Sequence, residues 1–165
     1  MDDDLTREAE DLLAACRKAK LRIVTAESCT GGLVAATLTE IAGSSDVLDR
    51  GFVTYSNEAK VELLDVPGLM IERYGAVSEQ VARAMAVGAL ARSLADLSVS
   101  ITGVAGPGGG TDDKPVGLVH FAAMRPGLPE ALHRRHVFTG DRHAVRVASV
   151  HTALEMLRSL VSGSG

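Results

Sequence analysis

The chain has 165 residues, 46% of them apolar and 23% charged, with a net charge of −4. That length fits one domain able to bury about 70% of the surface of its unfolded chain, and the acidic balance removes any electrostatic case for nucleic-acid binding. The start MDDDLTREAE has neither the basic nor the apolar region of a signal peptide, and no run approaches the ~18 apolar residues of a membrane span, so a cytoplasmic protein without membrane contact is expected. Cys16 and Cys29 suggest no disulfide framework, and with no Trp, three Phe and two Tyr there is little surface for stacking bases.

In chain order, Leu5, Ala9, Leu12, Leu13, Cys16 and Ala19 recur at helical spacing and predict an amphipathic helix over residues 4 to 20. LRIVTA, residues 21 to 26, is a short apolar run rich in β-branched residues and reads as a buried strand. The Ala- and Leu-rich stretch from Thr30 to Ile41 predicts a helix, closed by Gly43 just past its end. GFVTY, residues 51 to 55, is a second strand, after which Ser56 or Asn57 caps a helix through Leu64. Pro67 and Gly68 break that helix, and Ser78 caps the next, whose Ala/Val/Met face runs to about Leu94. LSVSIT, residues 97 to 102, is a third strand; VGLVHFAAM and LHRRHVF form two more around the turn RPGLPE. A last helix runs from Asp141 to about Leu160, with about 161 to 165 a frayed tail. Strands and helices alternate early and a hairpin comes late, which predicts helices on both faces of a mixed sheet in a single domain over residues 1 to 165. Exposed Ala/Val/Met helices would suit a homo-oligomer.

Three chemically loaded segments follow the first three strands: AESCTGG, YSNEAK and TGVAGPGGGTDDKPVG. In open α/β sheets ligands bind beyond the C-terminal strand ends, so these segments converge on a candidate site. GVAGPGGG has five glycines in eight residues, which lets backbone amides approach a phosphate or a planar ligand. It lacks the GK[ST] close of a Walker loop and the GxGxxG spacing, and a plain connection between strands fits it as well. In AESCTGG, Ser28 sits where unpaired amides at a helix start can stabilise an oxyanion. The same turn suits a helix cap at Ser28 or Thr30, and Cys29 is a rival nucleophile. His120, His133, His136, His143 and His151 fall late in strand or helix patterns, so neither a Ser-His-Asp order nor a metal site is expected. Arg134, Arg135, Arg142 and Arg146 are separated by apolar positions and read as a solvated face.

A serine nucleophile needs a base, and YSNEAK offers Lys60 with Tyr55 upstream, against the ordinary alternative of a surface lysine. Lowering a lysine from about 10.4 to about 7 takes about 4.6 kcal/mol. A helix end supplies about 0.3 to 1 kcal/mol of that, so burial must supply most of it.

Taken together, ESCTGG (27 to 32), YSNEAK (55 to 60), YGAVSEQVARAMAVGAL (74 to 90), SITGVAGPGGGTDDKPVG (100 to 117) and FTGDRHAVR (138 to 146) resemble the CinA C-terminal family. The blocks run in order over most of the chain, and ESCTGG and ITGVAGPGGG are specific. The resemblance implies a three-layer α/β/α sandwich around a mixed sheet. It also implies a nicotinamide-nucleotide amidohydrolase that converts nicotinamide mononucleotide to nicotinic acid mononucleotide and ammonia in pyridine-nucleotide recycling. Longer members carry an N-terminal domain resembling molybdopterin-binding proteins, and functions of that domain are not expected here.

By the same resemblance Ser28 and Lys60 form a catalytic Ser/Lys pair that Tyr55 assists, while Thr102 and Arg142 hold substrate. Neutral Lys60 would take the proton of Ser28, amides at a helix start near Thr30 would hold the oxyanion, and Arg142 would meet the substrate phosphate. Gly31 and Gly32 would leave room at the helix end, and Gly103 and Gly106 would bring the glycine-rich loop against the nucleotide. No metal or cofactor is implied, and the expected partner is a small nucleotide substrate. The alternative is a non-catalytic nucleotide-binding module acting through a partner.

Overall fold

The computed structural model describes residues 1–162. Among these, five strands form one sheet in the order β2-β1-β3-β4-β5, with β1 parallel to β2 and β3, and β3, β4 and β5 antiparallel in succession. The strands are β1 (Ile23–Glu27), β2 (Leu48–Val53), β3 (Leu97–Gly103), β4 (Leu118–Met124) and β5 (Leu132–Val137). Helices α1 (Asp3–Ala19), α2 (Leu33–Thr39) and α6 (Arg142–Ser162) cover one face, and α3 (Asn57–Leu64), α4 (Gly68–Tyr74) and α5 (Glu79–Ala91) the other. The three-layer α/β/α sandwich around a mixed sheet is therefore present, and the late hairpin is β4–β5.

Alternation along the strands divides the core. Leu97, Val99 and Ile101 of β3 face α1 and α6, and Ser98, Ser100 and Thr102 face the other way. The two serines donate to carbonyls of α5, Ser98 Oγ to Ala86 at 2.7 Å and Ser100 Oγ to Ala82 at 2.6 Å. Such short links require small residues on α5, and its Ala/Val/Met face is buried against the sheet and α3. That face is occupied within the chain, so it no longer argues for a second copy.

Several expected bounds shift for identifiable reasons. Strand β2 starts at Leu48 instead of Gly51, because the side chain of Asp49 is tucked between Arg22 (3.3 Å) and Arg50 (2.7 Å) and its charge hides a strand residue. Helix α4 was not expected, since Pro67 and Gly68 read as breakers. Pro67 instead occupies the position before the first helical residue, where a missing N–H costs nothing. Ser56 and Ser78 cap α3 and α5 as expected, accepting from Ala59 N at 3.0 Å and Val81 N at 3.2 Å. Helix α6 continues through Ser162, two residues into the expected tail, and residues 163–165 lie outside the described residues. Among the described residues no helix is long and apolar enough to cross a membrane.

Candidate active site

Strands β2, β1 and β3 run parallel and end along one edge at Val53, Glu27 and Gly103. After β1 the chain turns to the face of α2, and after β2 to the face of α3, which opens a crevice between the diverging connections. A cleft of about 290 Å3 fills it. Ser28, Tyr55, Lys60, Thr102, Gly103, Gly106 and Arg142 all line this cleft, although they come from four separate segments. A larger concavity of about 690 Å3 between α1, α2 and α6 is mostly apolar and contains none of these residues.

Lys60, the fourth residue of α3, is 1% exposed. Its Nζ lies 3.1 Å from Ser28 Oγ, 2.8 Å from Thr54 O and 3.4 Å from Tyr55 O. Burial holds its ammonium below the usual lysine range, opposed only by the nearby Cys29. Ser28 is itself buried, its N–H donating to Ile101 O of β3 at 2.9 Å. Cys29 packs into the α1/α2/α6 core, and burial pushes its thiol up to about 12. It is thus protonated at neutral pH and a poor nucleophile.

The Tyr55 hydroxyl does not point to this pair. It accepts from Arg142 Nη2 at 3.1 Å, and the Tyr55 carbonyl is the group near Lys60. Arg142 opens α6 and donates through Nη1 to Gly106 O at 2.7 Å, which fixes the glycine-rich loop. Thr102 Oγ1 donates to Ala76 O at 2.9 Å and so holds the opposite wall. His120 and His133 are hydrogen-bonded to each other at 2.9 Å, outside the residues that line the cleft. Burial first, then the neighbouring His133, pushes the His120 imidazole down to about 4.

Thr30, Gly31 and Gly32 do not line the cleft. Thr30 is fully buried, and Gly31 and Gly32 are in the left-handed region at φ of 57° and 103°, making the turn that delays α2 until Leu33. The helix thus does not begin at Thr30, and neither Ser28 nor Thr30 caps it. Its cap is Glu27, fully buried, whose Oε1 and Oε2 accept from Val34 N at 2.8 Å and Ala35 N at 3.0 Å. A carboxylate there satisfies two orphan donors and meets the positive helix end.

Glu27→Gln replaces one of the two acceptors with a donor. It is expected to cost about 1–2 kcal/mol of stability, measured by urea denaturation; an unchanged midpoint would refute the capping role. Arg146, whose spacing places it on a solvated face, instead reaches back to the turn after β1. Its Nε and Nη2 donate to Cys29 O at 3.2 Å and Thr30 O at 3.0 Å. Asn57, the first residue of α3, lines the cleft as well.

The family model of the CinA C-terminal domain matches residues 5–161. A protein of Escherichia coli strain K12 named nicotinamide-nucleotide amidohydrolase PncC is 47% identical over 156 residues, which cover 94% of each chain. A CinA-like protein of Mycolicibacterium paratuberculosis is 52% identical over 92% of this chain, but the match spans only 36% of that relative. Among solved structures, the competence/damage inducible protein CihA from Agrobacterium tumefaciens superposes with a TM-score of 0.95 at 48% identity, covering 97% of each chain. A competence or damage-inducible protein from Enterobacter asburiae does so with a TM-score of 0.88 at 36% identity, covering 96% of this chain and 98% of that one.

Proposed function

The chain belongs to the CinA C-terminal domain family, and on that premise we propose that it is a serine amidohydrolase. In this proposal it converts nicotinamide mononucleotide to nicotinic acid mononucleotide and ammonia, in pyridine-nucleotide recycling. The substrate is suggested by the relative named nicotinamide-nucleotide amidohydrolase, whose match covers almost all of both chains.

The observation that carries the Ser/Lys chemistry is the set of partners around Lys60 Nζ. Two are carbonyls, Thr54 O and Tyr55 O, which only accept, and the third is the Ser28 hydroxyl. A neutral amine has two N–H groups for the carbonyls and one lone pair left, directed by elimination at Ser28. The lowered proton affinity of the buried amine favours that neutral form.

Ser28 Oγ attacks the carboxamide carbon as its proton passes to Lys60 Nζ. The tetrahedral intermediate collapses with cleavage of the C–N bond, and Lys60 returns the proton so that ammonia leaves. Water, deprotonated by Lys60, then attacks the Ser28 ester, and Ser28 Oγ departs with the proton. The amide of Cys29, the residue that follows Ser28 and lines the cleft with it, is the candidate for holding the oxyanion. Arg142, whose hydrogen-bond partners here are the Gly106 carbonyl and the Tyr55 hydroxyl, is the candidate for the substrate phosphate, with Tyr55 orienting it.

The test is release of ammonia and nicotinic acid mononucleotide from nicotinamide mononucleotide by the purified protein. Turnover is expected; tight binding without ammonia release would overturn the enzyme and favour a nucleotide-binding module.

A further inference from the structure

We propose that Arg146 is a positioning residue for Ser28, acting through the turn that carries the nucleophile and not on substrate; this rests on the Ser28–Lys60 reading above. The turn needs an external support. After Ser28 the chain leaves the sheet through two left-handed glycines, and regular structure resumes only at Leu33. Within the turn the backbone supplies Ser28 N–H to Ile101 O, Gly31 N–H to Ser28 O and Leu33 N–H to Thr30 O, each at 2.9 Å. The carbonyls of Cys29 and Thr30 are held from 116 to 117 residues away, by the single guanidinium of Arg146. Its planar fork presents two donors in fixed geometry, so it constrains the Cys29–Thr30 and Thr30–Gly31 peptide units of the turn.

Two features separate this role from substrate binding and from a surface ion pair. Arg146 is absent from the lining of the Ser28–Lys60 cleft; the adjoining concavity of about 650 Å3 that it does line, with Arg142 and Ala105, contains neither Ser28 nor Lys60. The groups it does touch are backbone carbonyls of the nucleophile turn. It also lies four residues after Arg142, one helical turn along α6, and Arg142 holds Gly106 O and Tyr55 on the other side of the cleft. The first two turns of α6 therefore tie the nucleophile turn and the glycine-rich loop to one rigid element. A displacement of α6 would move Ser28 relative to Lys60, whose own position is set by α3.

Arg146→Met keeps the stem and removes both donors. Its kcat is expected to fall about 10- to 100-fold, with KM within about twofold of the wild type, because misplacement of a reacting group by about 1 Å costs that much while binding contacts persist. The rate at which a small fluorophosphonate modifies Ser28, followed by intact mass, should fall in parallel, since that reaction needs no nucleotide pocket. Arg146→Lys should recover only part of both rates, because an ammonium lacks the two-pronged geometry. It also decides the matter should the Met variant not fold.

An unchanged kcat, a loss carried by KM alone, or a loss equal to the unfolded fraction seen by circular dichroism would overturn the inference. A wild type that neither releases ammonia nor is modified at Ser28 would overturn the Ser/Lys reading itself. An active wild type with fully active Arg146 variants would overturn the positioning role alone.

Discussion

Ser28→Ala is expected to lower kcat for ammonia release by about 10⁴- to 10⁶-fold, the range seen when a nucleophile is removed from a catalytic unit whose parts act together. The variant should still fold. Ser28 contributes its backbone N–H, not its side chain, to the β3 contact, and the lost hydroxyl is one of three groups around Lys60 Nζ. It should also retain nucleotide binding, because Arg142, Gly106 and Thr102 are held by contacts that do not involve Ser28. A dead enzyme that binds substrate with near-normal affinity is therefore the signature sought.

The comparison that gives this result its meaning is Cys29→Ala. The thiol is packed in the core and pushed up to about 12, so less than about one part in 10⁴ is thiolate at pH 7. Removing it makes a small cavity costing about 1 kcal/mol, and activity should remain within about tenfold of the wild type at temperatures well below the unfolding transition. Full activity in Ser28→Ala, or its loss in Cys29→Ala with the fold intact, would move the nucleophile by one residue.

What could be read before the structure was governed by locality. Ser56 and Ser78 were legible as caps because the acceptor and the amide it binds are three residues apart. Strands β1, β3 and β4 were legible because buried apolar runs with short polar bounds leave few alternatives. Ser28 and Lys60 could be named as candidates, but the burial on which their proposed chemistry depends is a property of packing between β1, β2 and α3.

Glu27 and Arg146 were not legible for the same reason in stronger form. Glu27 reads as a polar residue at a strand end, and only the left-handed glycines bring the start of α2 back over its carboxylate. Arg146 reads as a surface cation because the carbonyls that it holds are a property of the folded turn. A carboxylate at a strand end, with paired glycines four and five residues on, was the only local hint for Glu27, and it does not say that the carboxylate is buried. For Arg146 nothing local pointed to the role.

Lys60→Met should lower kcat by about 10²- to 10⁴-fold, the usual contribution of a general base, while changing how stability depends on pH. The sign follows from the direction of the proton-affinity shift. In the wild type, burial sets the folded pKa of Lys60 below its unfolded value of about 10.4. Below the folded pKa both states carry the proton, and the native state bears the full cost of burying an ammonium. Between the two values the unfolded state binds more protons, so this component of stability rises with pH; above about 10.4 both states are neutral and the cost is gone.

Methionine has no proton to bind, so the stability of the variant relative to the wild type should be most favourable at low pH and decline as pH approaches about 10. The donors lost to Thr54 O and Tyr55 O shift the whole difference by an amount that does not depend on pH, so the slope carries the test. Urea denaturation of both proteins at several pH values measures it. A constant difference across that range would mean that Lys60 titrates normally in the folded chain. It would then be an ammonium at neutral pH, with no lone pair to accept the proton of Ser28.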